Sequence, residues 1–183
     1  MTDALGYRRK LAVVAPSTNT IVQPEFDRMA PHGVTNHFSR IHIPDDPLGN
    51  DADFEELMVR IRAELMQAVD RAMTARPDYL VMGMSSETFW GGLAGSKELE
   101  AKLMERSGLQ VAMGSDASQA ALRCYGDIKR ISIVTPYMPV GDEEVRKFFT
   151  DCGFEVMAVH GLKSLSPTLI AHETAETLRD AVN

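Results

Sequence analysis

Short apolar runs and longer amphipathic stretches alternate along the chain. Leu11–Pro16 (LAVVAP) is an apolar run closed by proline, the pattern of a buried strand. Val34–Ile43, Tyr79–Gly83, Leu109–Met113, Ile131–Thr135 and Phe154–Val159 repeat the strand signal. Between them lie helical segments. The clearest is Asp51–Ala75, where Phe54, Leu57, Met58, Ile61, Leu65, Ala68, Val69 and Ala72 recur at helical spacing. Asp53 and Glu56 read as its capping box, and Pro77 closes the region. Further helices are predicted over Ile21–Met29, Lys97–Arg106, Ser115–Tyr125, Asp142–Asp151 and His172–Val182. Gly108 and Gly126 act as stops.

Strand–helix alternation predicts an α/β fold, with helices on both faces of a parallel sheet. No Pro-, Gly- or Ser-rich linker divides the chain; a soft boundary falls near Ser115, giving segments 1–114 and 115–183. Ligands of parallel sheets bind at the carboxyl ends of the strands. That rule singles out the loops Pro16–Thr20, Gly83–Gly92, Gly114–Asp116 and Pro136–Gly141.

Composition narrows the field. The chain has 183 residues, 44% hydrophobic, with a net charge of −7, enough apolar content for a core and too acidic to favour a nucleic-acid partner. No apolar run reaches the roughly 18 residues of a membrane span, and Met1–Lys10 lacks the apolar centre of a secretion signal. Two isolated cysteines, Cys124 and Cys152, without CxxC spacing, fit the cytoplasm. Cys124 shares a helical face with Ala117, Ala120 and Ala121 and reads as a small core residue. The five histidines lack metal spacing, and neither GxGxxG nor GxxxxGK[ST] occurs, so no metal and no nucleotide cofactor is expected. Self-association into a homo-oligomer is left open.

Each loop admits a functional and a bland reading. In Gly83-Met84-Ser85-Ser86-Glu87, glycine lets a ligand approach the backbone, and hydroxyls and free N–H groups at a helix start favour a carboxylate. The bland reading is a turn with a serine cap. Asn19, in the first loop, either donates to a carboxylate or caps a helix. Tyr137 either donates to an oxyanion or packs half-buried. Ser115 with Asp116 is most simply a cap. Gly83–Glu87 also approaches the G-x-S-x-G nucleophile elbow, with Glu87 where the last glycine belongs.

Leu80–Gly92 (LVMGMSSETFWGG), Ser115–Gly126 and Ile131–Tyr137 (ISIVTPY) together resemble the aspartate/glutamate racemase superfamily, in particular arylmalonate decarboxylase. The Pro16–Thr20 turn is more similar to that of maleate cis–trans isomerase. The resemblance implies two Rossmann-like parallel-sheet halves about a pseudo-two-fold, with the site between them and no cofactor. It implies a small carboxylic or dicarboxylic acid as substrate. Ser85 and Tyr137 would be the catalytic, oxyanion-binding residues, and Asn19, Gly83, Met84, Ser86 and Ser115 would contact the substrate. Gly83 stands at the first family cysteine position, as in the decarboxylase, and Met84 replaces a hydroxyl residue. The second family cysteine falls past Asn183, so the chain is expected to continue. Decarboxylation, cis–trans isomerisation or racemisation, and carboxylate binding without turnover all remain open.

Overall fold

In the computed structural model, which describes residues 3–183, the predicted alternation forms an α/β fold built on two parallel sheets. The elements are β1 (Arg9–Pro16), α1 (Val22–Met29), β2 (Val34–Ile41), α2 (Asp51–Met73), β3 (Tyr79–Met82), α3 (Ser86–Phe89) and α4 (Gly92–Ser107). They continue as β4 (Val111–Ala112), α5 (Gly114–Arg123), β5 (Arg130–Thr135), α6 (Pro139–Asp151), β6 (Glu155–Gly161), a 3₁₀ turn at Leu169–His172 and α7 (Ala175–Val182).

The first sheet has the order β2-β1-β3-β4, all parallel. The chain moves outward from β1 to β2, then crosses back over β1 to reach β3. Strand order therefore reverses between β1 and β3, and the loops that leave these two strands diverge there. Such a switch point opens a crevice at the carboxyl ends of the strands. The second sheet pairs β5 with β6 in parallel.

Helix α2 supplies much of the core. Its eight buried residues are the eight apolar positions of the sequence pattern. Its cap lies one turn earlier than the Asp53–Glu56 box: the Asn50 side chain accepts from Asp53 N–H at 3.1 Å, and the Asp53 carboxylate accepts from Gly49 N–H at 2.8 Å. Asn50 is extended, as an N-cap must be, whereas Asp53 already lies in the first helical turn.

Three further expectations change. Helix α4 starts at Gly92, five residues before Lys97, because Gly91 and Gly92 take the left-handed turn that leads into it. The last helix starts at Ala175, where the Thr174 hydroxyl accepts from Thr177 N–H at 3.1 Å and sets a new N-terminus. Cys124 is exposed rather than a core residue, together with Ala117, Ala120 and Ala121. Small residues at helical spacing record a face but not whether another layer covers it, and α5 buries only Ser115. Among the described residues, no helix is long and apolar enough to cross a membrane.

The two sheets meet through aromatic side chains. Phe89 on α3 lies 5.2 Å from Phe148 and 5.7 Å from Phe149, both on α6, and Phe149 reaches Phe154 at 5.9 Å. Phe148 is fully buried. Phe148→Ala would open a cavity at this junction and is expected to cost about 3–5 kcal/mol, read as a lower urea midpoint with an unchanged slope.

Candidate functional site

At the switch point lies a cavity of about 120 Å³. That is far below the roughly 300–1,000 Å³ of pockets that enclose drug-sized ligands, so it suits a small molecule. Pro16, Thr18 and Asn19 come from the β1–α1 loop, Gly83 to Ser86 from the β3–α3 loop, and Pro136 with Tyr137 from the β5–α6 loop. Helix α2 provides an apolar wall of Phe54, Leu57 and Ile61. The segment after β6 folds back to add Pro167 and Ile170. It is held there by hydrogen bonds from Leu48 N–H to Leu165 O and from Thr168 N–H to Asp45 Oδ1, each 2.8 Å.

The central polar contact is between Ser85 Oγ and Tyr137 Oη, 2.5 Å apart and from opposite sheets. Each residue is anchored from behind. Thr88, fully buried, donates both its N–H (2.9 Å) and its hydroxyl (2.7 Å) to Ser85 O. The Thr135 hydroxyl accepts from Tyr137 N–H at 3.1 Å and donates to the Asp142 carboxylate. Tyr137 is buried, and burial pushes its phenol up to about 12, against a smaller downward pull from Ser85. It is therefore neutral and holds its proton at ordinary pH. Either hydroxyl can donate to the other; with the more acidic phenol as donor, the serine proton is free to point at a ligand. Burial also raises the Asp142 carboxyl, offset in part by the Thr135 hydroxyl.

Asn19 is half-committed. Its Oδ1 accepts from Ile21 N–H at 2.9 Å and Val22 N–H at 3.0 Å, so it acts as a cap, while Nδ2 makes no hydrogen bond among the described residues. Behind it, the Arg40 guanidinium donates to Pro16 O (3.1 Å), Asn19 O (3.0 Å) and Gln23 Oε1 (2.8 Å), which fixes the loop.

Gly83 sits where the backbone turns against β1. A Cβ there would lie 2.8 Å from Val13 Cγ1 and 3.2 Å from Val14 O, so only glycine fits without displacement. Met84 is buried and lines the cavity, as does Ser86. Ser115 lies apart from them: it is fully buried inside α5, bonded to Ser96 Oγ at 2.8 Å, with its N–H on Thr88 Oγ1. Phe89 lies in the aromatic junction and Trp90 in a separate cleft. No histidine lines the cavity, so the hydrolase-like elbow has no base at hand.

One cavity residue escapes sequence reasoning. Thr18 Oγ1 is shielded from solvent and has no hydrogen-bond partner among the described residues. A buried hydroxyl left unpaired carries a desolvation cost of about 1–3 kcal/mol, which a bound polar group would relieve. The turn Ser17-Thr18-Asn19-Thr20 holds four hydrogen-bonding side chains, and nothing in their order marks which one faces the crevice.

The raised phenol fixes the sign of one pH effect. A group that binds its proton more tightly when folded lends stability that is complete below its unfolded value near pH 10 and is lost as pH rises toward about 12. Tyr137→Phe is expected to lose about 0.5–1.5 kcal/mol at neutral pH with the Ser85 hydrogen bond. It should also flatten the fall in stability between pH 10 and about 12, measured by urea titrations at each pH.

The family profile for arylmalonate decarboxylase matches residues 51–183. No curated protein matches the chain by sequence. Among solved structures, the chain is similar to the maleate cis–trans isomerase of Nocardia farcinica bound to Tris, at 20% identity and a TM-score of 0.79, covering 95% of this chain and 71% of that one. A variant of the maleate isomerase Iso from Pseudomonas putida S16, solved with maleate, gives 19% identity and a TM-score of 0.80 over 95% and 71% of the two chains. A crystal structure of arylmalonate decarboxylase gives 17% identity and a TM-score of 0.68 over 94% and 69%. These superpositions show a shared α/β fold, and the profile match spans more than half of the sequence: the chain belongs to the arylmalonate decarboxylase family.

Proposed function

We propose that this protein acts, without a cofactor, on a small carboxylic or dicarboxylic acid by stabilising an enediolate, as an arylmalonate-decarboxylase-like enzyme. The observation that carries the reading is the Ser85–Tyr137 hydroxyl pair at 2.5 Å, set in a cavity whose other walls are largely apolar.

The chemistry follows from that placement. Breaking the bond between the α-carbon and a malonate carboxylate releases CO₂ and leaves an electron pair on carbon. The pair moves into the remaining carboxylate, which becomes an enediolate with added charge on its oxygens. Fixed donors aimed at those oxygens lower the barrier, each by about 3 kcal/mol in known oxyanion holes. The free proton of the hydroxyl pair supplies one donor. The N–H groups of Met84 and Ser85, which make no hydrogen bond among the described residues, supply others. The departing carboxylate faces Met84, Leu57 and Ile61, where no donor holds its charge. A proton must then reach the α-carbon. Neither Cys124 nor Cys152 lines the cavity, so neither thiol is placed to deliver that proton.

A specific observation favours a second reading, a maleate-isomerase-type reaction on a dicarboxylate. The free Nδ2 of Asn19 and the unpaired Thr18 hydroxyl line the cavity from the β1–α1 loop and offer donors for a second carboxylate. The tight fit around Gly83 weighs against a two-thiol mechanism, because a cysteine Cβ there would have to displace the Val13 side chain.

The test is turnover of phenylmalonate, followed as CO₂, and of maleate, followed as fumarate. Activity on either substrate is expected to fall about 10²- to 10³-fold in Ser85→Ala. Binding of either acid with no conversion by the folded protein would replace this reading with that of a carboxylate-binding protein.

A further inference from the structure

We propose that the Glu87–Arg62 ion pair is the positioning device of the Ser85–Tyr137 hydroxyl pair, closing a ring of contacts that fixes both hydroxyls at once. The inference rests on the reading of that pair as the reacting site.

The ring can be followed residue by residue. Glu87 lies in α3, whose N-terminal flank is Ser85. Its Oε1 accepts from Arg62 Nε on α2 at 2.6 Å. The Arg62 guanidinium lies over the Trp90 ring, 5.1 Å from its centre. Trp90 stacks on Phe54 at 6.3 Å with a 26° angle between the rings, and Phe54 reaches Tyr137 at 5.5 Å. Tyr137 returns to Ser85. One side of the ring thus sets the serine through the α3 backbone. The other sets the tyrosine through two aromatic rings. The ion pair is the one link of the ring in which two charged side chains meet.

This pair is poorly made for stability. Glu87 is only 6% exposed, and its Oε2 is buried with no partner among the described residues. Burial pushes its carboxyl up, and Arg62 only partly offsets this. Around it stand Arg62 on α2 and the Glu98–Lys102 pair on α4, while Glu144 on α6 is taken up by Gly91 N–H. A carboxylate that costs the fold something, while holding the one arginine that covers Trp90, fits a role in geometry. Arg62 itself is 40% exposed, so losing its partner does not strand a charge away from water.

Glu87→Gln in the full chain tests the idea, because glutamine keeps the shape and removes the charge. A merely structural residue would change melting temperature and activity together. The proposal expects a melting temperature at or above that of the unaltered protein. It also expects a shifted emission from Trp90, the single tryptophan of the chain. Tyr137 should titrate below its value of about 12 as its packing loosens. On whichever of phenylmalonate or maleate is turned over, kcat/KM should drop roughly 10- to 100-fold, the scale of a small misplacement. Arg62→Lys keeps the charge but cannot lie flat over the indole, and is expected to give the same spectroscopic changes. Unchanged Trp90 emission and Tyr137 titration in both variants would overturn the proposal, as would a loss of activity that only follows a loss of melting temperature. If neither acid is turned over by the unaltered protein, the functional reading falls, and the positioning role is decided by the two spectroscopic signatures alone.

Discussion

Two sheets that share no hydrogen-bonded ladder must be joined by side chains. β4 pairs with β3 and β5 with β6, but no strand of one sheet pairs with a strand of the other. The junction therefore depends on the interlocking of Phe89, Phe148, Phe149 and Phe154. Apolar contact of this kind is strong but has little directional preference. Direction comes from the few polar links that cross the same boundary: Ser85 to Tyr137, Gly91 N–H to Glu144, Leu93 N–H to Asp151, and Val140 N–H to Asp51. Together they bring the loop after β5 up against the loop after β3, so that a crevice belonging to the first sheet gains a wall from the second.

Much of this arrangement is legible in the sequence, and the reasons differ from element to element. The buried face of α2 is fully readable, because one side of a long helix meets one continuous core and each turn repeats the demand. The strands are readable as apolar runs, and parallel pairing follows from the helices between them. Three loops, with Asn19, Gly83, Met84, Ser85, Ser86 and Tyr137, converge on one cavity because chain topology brings the carboxyl ends of β1, β3 and β5 together.

What stayed hidden depends on partners distant in sequence. The small-residue face of α5 looks like a packing face, but its cover is a matter of tertiary placement. Ser115 reads as a site or cap residue; its actual neighbours, Ser96 and Thr88, come from elsewhere in the fold. Thr18 and Glu87 are ordinary polar residues in a string. Only three dimensions show that each buries an oxygen with no partner among the described residues. Gly83 is the reverse case: a glycine after a strand looks like loop punctuation until the closeness of Val13 and Val14 explains it.

The walls of the cavity carry one further consequence. Of the residues that line it, only Tyr137 can ionise, and it stays neutral up to about pH 12. An anion that enters meets oriented hydroxyls, amides and an asparagine, but no countercharge. Attraction between full charges at a surface fades as ions accumulate in solution, with a screening distance of about 8 Å at physiological ionic strength. Contacts between an anion and oriented dipoles act at short range and depend less on that screening. The affinity of such a site for an acid would not weaken with added salt in the way that a site built on an arginine or lysine does.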